Sequence, residues 1–379
     1  MTIRWYILLV LASVLSACVE EFQPKLDEFD NLLVVDGEIT NEEGPYTIKL
    51  SVSSGLEIIS PEPVTGATVA IVEENGVAET LTEQEPGIYR TAPGGIQGTV
   101  GKKYKLIINQ NGKNYESEYE LLKQPTPIAS VEAVQEYKAF PDAPEEVPGI
   151  QFYVNTGTSS NEKDYYLWSQ EGTYKYEANL LIYFVYEGVI KEFKNRDSLK
   201  TCYLTYKVGE VYTANTDNLT VPVITNLPLH FLPATDIKLT IRYSMLTRQY
   251  SITKQAYDFW HAIERQTSNG GALYTSQPYQ IRGNLTNVNN PDEPVLGYFM
   301  VAGVAENRIF VDRPENAEIY IADCFLDYMG YAYIFGLPPS EWPIYVTQGE
   351  GGGRAVASDG CMDCRVSGGG LLPPPFWEE

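Results

Sequence analysis

Short runs of alternating apolar and polar residues dominate the chain from Asn31 onward. Tyr46-Thr-Ile-Lys-Leu-Ser-Val alternates at every step, the period of a strand with one buried face. Asn31-Leu-Leu-Val-Val-Asp and Gly66-Ala-Thr-Val-Ala-Ile-Val read as buried strands, and Gly87-Ile-Tyr-Arg, Lys103-Tyr-Lys-Leu-Ile-Ile and Tyr115-Glu-Ser-Glu-Tyr follow. Asn75-Gly76 and Asn111-Gly112 separate such runs. Asn-Gly tolerates the positive φ of a type I′ hairpin turn. Strands at this spacing predict an immunoglobulin-like sandwich over residues 31–123.

Gln124-Pro-Thr-Pro-Ile128 breaks the pattern, because proline cannot donate to a sheet ladder. Residues 124–149 therefore read as a linker. Strands resume at Ile150-Gln-Phe-Tyr-Val, Tyr165-Tyr-Leu-Trp-Ser, Thr173-Tyr-Lys-Tyr-Glu, Leu180-Leu-Ile-Tyr-Phe-Val-Tyr and Cys202-Tyr-Leu-Thr-Tyr. Ile237-Lys-Leu-Thr-Ile-Arg-Tyr, Tyr298-Phe-Met-Val-Ala-Gly-Val and Arg308-Ile-Phe-Val complete a larger β domain over 150–379, sandwich-like in its expected form. One stretch has helical spacing: Ile252, Ala256, Phe259, Trp260 and Ile263 make a single apolar stripe near 252–268, with Ser251 or Thr253 as cap and Asn269-Gly270-Gly271 as stop. The fold class expected is mainly β with one packed helix.

Composition supports this. There are 28 tyrosines against 13 phenylalanines, and tyrosine favours strands and half-wetted surfaces. The net charge of −23 argues against nucleic acid, which would be repelled.

The N-terminus reads as a targeting segment. Arg4 precedes an apolar run from Trp5 to Leu15, long enough for a signal peptide and too short to span a bilayer. Leu15-Ser16-Ala17-Cys18 looks like a lipobox, with residues 1–17 removed and Cys18 lipidated. Each buried acyl CH₂ then contributes about 0.8 kcal/mol to anchoring. Residues 18–30 are acid-rich and apolar-poor and read as a flexible tether. Val19-Glu20-Glu21 resembles the signal that exports such lipoproteins to the cell surface.

Setting Cys18 aside leaves Cys202, Cys324, Cys361 and Cys364, an even number that suggests two disulfides in an exported chain. Three connectivities are open, and a thiolate zinc site is the alternative. The favoured reading pairs Cys361 and Cys364 each with one of Cys202 and Cys324, stapling the Gly- and Pro-rich tail to the second domain. Only His230 and His261 exist to serve a triad or imidazole metal site, and both read as structural. Asn289-Asn-Pro-Asp-Glu293 reads first as a turn and second as a source of calcium oxygens. No Gly-x-Ser-x-Gly, phosphate-loop or His-Glu-x-x-His pattern is present. The chain is therefore expected to be non-enzymatic, with no cofactor.

Several motifs in fixed order resemble one family. They are Tyr165-Tyr-Leu-Trp-Ser, Tyr257-Asp-Phe-Trp, Gly271-Ala-Leu-Tyr-Thr-Ser-Gln-Pro-Tyr-Gln-Ile-Arg-Gly-Asn-Leu-Thr-Asn, Val295-Leu-Gly-Tyr-Phe, Cys361-Met-Asp-Cys364-Arg365 and Phe376-Trp377. Together they resemble the DUF4249 family of Bacteroidota outer-membrane lipoproteins. The resemblance implies no established activity. It does imply an accessory or substrate-capture protein, lipid-anchored in the outer membrane and facing outward, beside a TonB-dependent transporter. The alternatives are a stand-alone glycan- or peptide-binding lipoprotein and a carboxylate-based hydrolase.

Overall fold

The computed structural model describes residues 32–53, 61–140, 143–159, 163–268, 281–314 and 323–378. Residues 1–31, including the expected leader, Cys18 and the whole acidic tether, lie outside the described residues, as does much of the Gly271–Asn287 motif.

The first sandwich forms where the alternation places it. One layer holds β1 (Leu33–Thr40), β2 (Thr47–Val52) and the short strand Ile88–Arg90. The other holds β3 (Thr68–Glu73), β4 (Lys103–Gln110) and β5 (Lys113–Ser117). Alternate residues of each point inward: Val35, Ile48 and Leu50 meet Val69, Ile71, Leu106 and Ile108 in one core. Asn111 (φ 51°) and Gly112 (φ 80°) are both left-handed and close the β4–β5 hairpin with a two-residue turn. At the earlier turn only Gly76 is left-handed (φ 90°), so Asn75-Gly76 does not make the expected type I′ turn.

The sandwich is not a separate unit. β12 (Leu296–Asp312) joins its first layer, running parallel to β1 from Val34↔Leu296 to Thr40↔Ala302. Leu285–Asn287 joins its second layer beside β5. The boundary expected at residues 124–149 is therefore bridged by two strands from the C-terminal half. The expected linker also contains β6 (Ile128–Lys138), which pairs with β7 (Val147–Thr156). Prolines 125 and 127 end one element and do not begin a linker.

The second half of β12 pairs antiparallel with β11 (Arg242–Ile252), which pairs with β8 (Tyr165–Glu177), which pairs with β9 (Thr201–Lys207). One sheet thus runs without a break from β9 to the strands beside β2. Both of its faces are covered on the C-terminal side. On one face, Tyr166, Trp168, Tyr243 and Met245 pack against Val131, Ile150, Phe152 and Leu229 of the sheet formed by β6, β7 and β10 (Leu227–Pro233). On the other, Leu167, Tyr250, Ile252 and Val304 pack against Ala256, Tyr257 and Phe259 of α1 (Lys254–Ser268). Thr253 Oγ1 accepts from Ala256 N at 3.2 Å, so it is the cap of that helix, whereas Ser251 Oγ accepts from Thr126 N.

Two strand expectations shift. Ile237–Leu239 is a 3₁₀ turn capped by Asp236, and the strand starts at Arg242. Of residues 180–186, only Phe184–Tyr186 pairs as a strand, against Ile344–Gln348.

Candidate functional site

β12 changes partner at Gly303, the position that shapes the middle of the sheet. A Cβ there would meet Lys123 O at 2.2 Å and Pro125 N at 2.7 Å. The chain crossing from the first sandwich therefore lies directly on β12, and only glycine permits that approach.

The helix-side face of the sheet is closed at one end by α1. At its other end the C-terminal strap closes it. The Arg308 guanidinium stacks over Phe376 at 3.4 Å, and Trp377 packs edge-on against Tyr203 at 5.0 Å and Phe310 at 5.5 Å. Between these covers lies an open cleft of about 550 Å³. Leu167, Leu246, Tyr250, Trp260 and Met300 supply its apolar lining. Its carboxylates, Asp36, Glu38, Glu42, Glu43, Glu171 and Glu210, outnumber its cations, Lys49, Lys207 and Arg248.

Most of these charges are already paired. Arg248 Nη2 donates to Glu42, joining β11 to the end of β1. Arg308 Nη2 lies 3.6 Å from Glu171, and His230 Nδ1 lies 3.5 Å from Glu210. Asp36 is exposed, 3.8 Å from Lys49. Glu38 differs: it is half-buried on β1, beside Met300 in register. Burial pushes its carboxyl above the usual carboxylate range and Asp36 and Glu42 add to this, while Arg248 and Lys207 oppose it. Burial pulls the Arg248 guanidinium down, but Tyr250, Glu42 and Glu38 hold it above its ordinary value. Trp260 Nε1 and Arg248 Nε are buried without a hydrogen-bond partner among the described residues.

A second surface is set by the disulfides. Cys202 pairs with Cys364, and Cys324 with Cys361, so both tail cysteines reach outward to distant partners and the strap is tied to β9. The second bridge fixes residues 325–337, whose apolar side chains face solvent: Phe325 is 80% exposed, Met329 75% and Tyr333 73%. Ile334 anchors the segment, buried with Tyr186 and Val346. Asp327 Oδ1 accepts from Gly330 N at 2.6 Å.

The remaining candidates fall elsewhere. His261 Nδ1 meets Thr213 Oγ1 at 2.9 Å and Glu264 Oε2 at 3.1 Å, and its ring stacks on Tyr257, which pins α1 to the strand Tyr212–Asn215. Glu293 is held by Lys113, Tyr115 and Asn287, so its segment clips Leu285–Asn287 onto β5. Among the described residues no group of three His, Cys, Asp or Glu is placed to hold a metal. No helix there is long and apolar enough to cross a membrane. The sequence pattern did not single out Glu38 or Arg248, and it placed Trp260 only on the apolar stripe of the helix. The available signal was a charged residue on the same face as apolar neighbours, as Arg248 is with Tyr250.

The family model for the domain of unknown function DUF4249 matches residues 19–308. The chain belongs to that family. The match takes in β1 through most of β12, with the cleft between them. It ends before Cys324, Cys361, Cys364 and the exposed 325–337 segment. No curated protein matches the chain.

Proposed function

We propose that the protein is a non-enzymatic lipoprotein, anchored through Cys18 in the outer membrane and facing outward, that docks on a TonB-dependent transporter as an accessory or substrate-capture partner. The observation that carries this reading is the exposed apolar segment 325–337, held on a disulfide-fixed platform. Apolar patches of this kind are costly in water and mark protein–protein or membrane contacts. The lipobox and the acidic tether support the location, since a leash of that composition lets the folded part tilt over a neighbour. Pull-down of the tagged, full-length protein from mildly solubilised membranes tests the reading. A β-barrel transporter is expected to co-purify, and Phe325→Ser with Met329→Asp should release it. Recovery of the lipoprotein without any barrel overturns the proposal.

The cleft favours a second reading, a stand-alone lipoprotein that binds glycan or peptide. Its concavity, in which aromatic and aliphatic side chains lie beside convergent charged groups, is a form that ligand sites take.

A further inference from the structure

The cleft holds an imbalance that its own residues do not resolve. Glu42, Glu171 and Glu210 each have a basic partner, Asp36 is exposed near Lys49, and Glu43 is exposed to water. Glu38 alone is a half-buried carboxylate there with no hydrogen bond or ion pair to a described residue. Arg248 and Lys207 act on it only through space: Arg248 is committed to Glu42, and exposed Lys207 makes no ion pair with Glu38. A partly desolvated carboxylate is relieved most by an added cation, because Coulomb attraction strengthens where water is thinned. Beside it, Leu246, Tyr250, Trp260 and Met300 offer methylene and ring surface. Such surface suits an alkyl stem, and an indole face attracts a cation.

We infer that the cleft binds an ammonium or guanidinium group on an apolar stem, as carried by the Lys or Arg side chain of an extended peptide, with Glu38 as its counter-charge. The inference rests on the second reading above, of the cleft as a ligand site, and holds with or without a neighbouring barrel. A neutral glycan would donate hydroxyls to Glu38 but leave its charge uncompensated, and an acidic peptide would be repelled by the excess of carboxylates.

The test titrates the full-length protein in detergent micelles by calorimetry with three probes: acetyl-Ala-Lys-Ala-amide, acetyl-Ala-Glu-Ala-amide and maltotriose. The Lys peptide is expected to bind at least tenfold more tightly than either other probe. Glu38→Gln, which keeps size and removes charge, should weaken it at least tenfold. Ser169→Trp, which fills the cleft, should abolish it. Each variant must first keep the parent melting temperature, and Ser169→Phe replaces the tryptophan variant if that one does not. If Ser169→Trp blocks the Lys peptide while Glu38→Gln leaves it unchanged, the ligand site stands and the counter-charge is wrong. If maltotriose binds, Ser169→Trp blocks it and the Lys peptide does not bind, the cationic class is likewise overturned. If no probe binds, or if Ser169→Trp changes nothing, the ligand-site reading falls along with the inference.

Discussion

Tyr298 on β12 donates a hydrogen bond to Glu120, which lies 178 positions earlier in the chain. Asn284 Nδ2 and Thr253 Oγ1 donate to the same carboxyl at 3.0 and 3.2 Å, so one buried group ties the first sandwich to β12 and to the start of α1. Burial outweighs these donors and raises the Glu120 pKa from 4.5 to about 7. Between those values the folded protein keeps a proton that the unfolded chain has released. The contribution to stability is thus fully present below pH 4.5 and falls as pH rises to about 7, by on the order of 3 kcal/mol. Glu120→Gln keeps an acceptor for Tyr298 and Asn284 and can donate to Thr253. Urea melts at pH 4.5 and pH 8 should show the variant gaining on the parent at the higher pH. Equal pH dependence in the two proteins would contradict the assignment.

The disulfides close loops of 162 and 37 residues in separation. Chain-entropy arguments give each roughly 4–5 kcal/mol at most, and less together because one loop lies inside the other. Reduction should lower the denaturation midpoint and free the Phe376–Trp377 strap from Arg308 and Tyr203. Tryptophan quenching by iodide should increase on reduction. Peptide mapping without reductant should recover Cys202 with Cys364 and Cys324 with Cys361.

At Gly303 even a methyl group collides with backbone at Lys123 and Pro125. Gly303→Ala should cost about 1–3 kcal/mol, the range for overpacking. Gly209, where a Cβ would meet nothing within 4 Å, supplies the control: its alanine variant should melt close to the parent.

The Glu42–Arg248 pair joins β1 to β11 and is partly exposed on both sides, at 36% and 29% of side-chain area. A double-mutant cycle with Glu42→Gln and Arg248→Met should return a coupling of about 1 kcal/mol that shrinks with added salt. Coupling that is insensitive to salt would show that packing, not charge, dominates the contact.

Local pattern carried the sequence reading a long way. The period-two runs at Tyr46 and Lys103 are strands, Asn111-Gly112 is the expected hairpin turn, and the stripe from Ala256 to Ile263 is a helix capped by Thr253. These features depend on neighbours a few residues apart. The misreadings have the opposite character. Tyr298–Val304 and Arg308–Val311 looked like two strands and are one, because Ala305, Glu306 and Asn307 continue the ladder against Thr247–Gln249. Pro125 and Pro127 looked like a domain boundary because proline breaks pairing, but they lie where the chain crosses β12. Leu180–Ile182 are apolar enough for a strand, yet Leu180 N bonds to Cys361 O and Ile182 N to Arg196 O, and their side chains serve a loop-rich core. The cleft was not legible for the same reason: Glu38, Ser169, Arg248 and Trp260 belong to four elements, and their meeting depends on a register that no local pattern states.

The parallel pairing of β1 with β12 also sets an order of events during synthesis. The first sandwich leaves the ribosome, and would cross any export channel, long before residues 296–302 appear. Until they do, the open edge of β1 presents unpaired N–H and C=O groups to any passing strand. Holdase binding to the nascent chain is the natural remedy. Refolding from denaturant should lose yield steeply with concentration, because a second molecule's β12 can occupy the edge as readily as the chain's own.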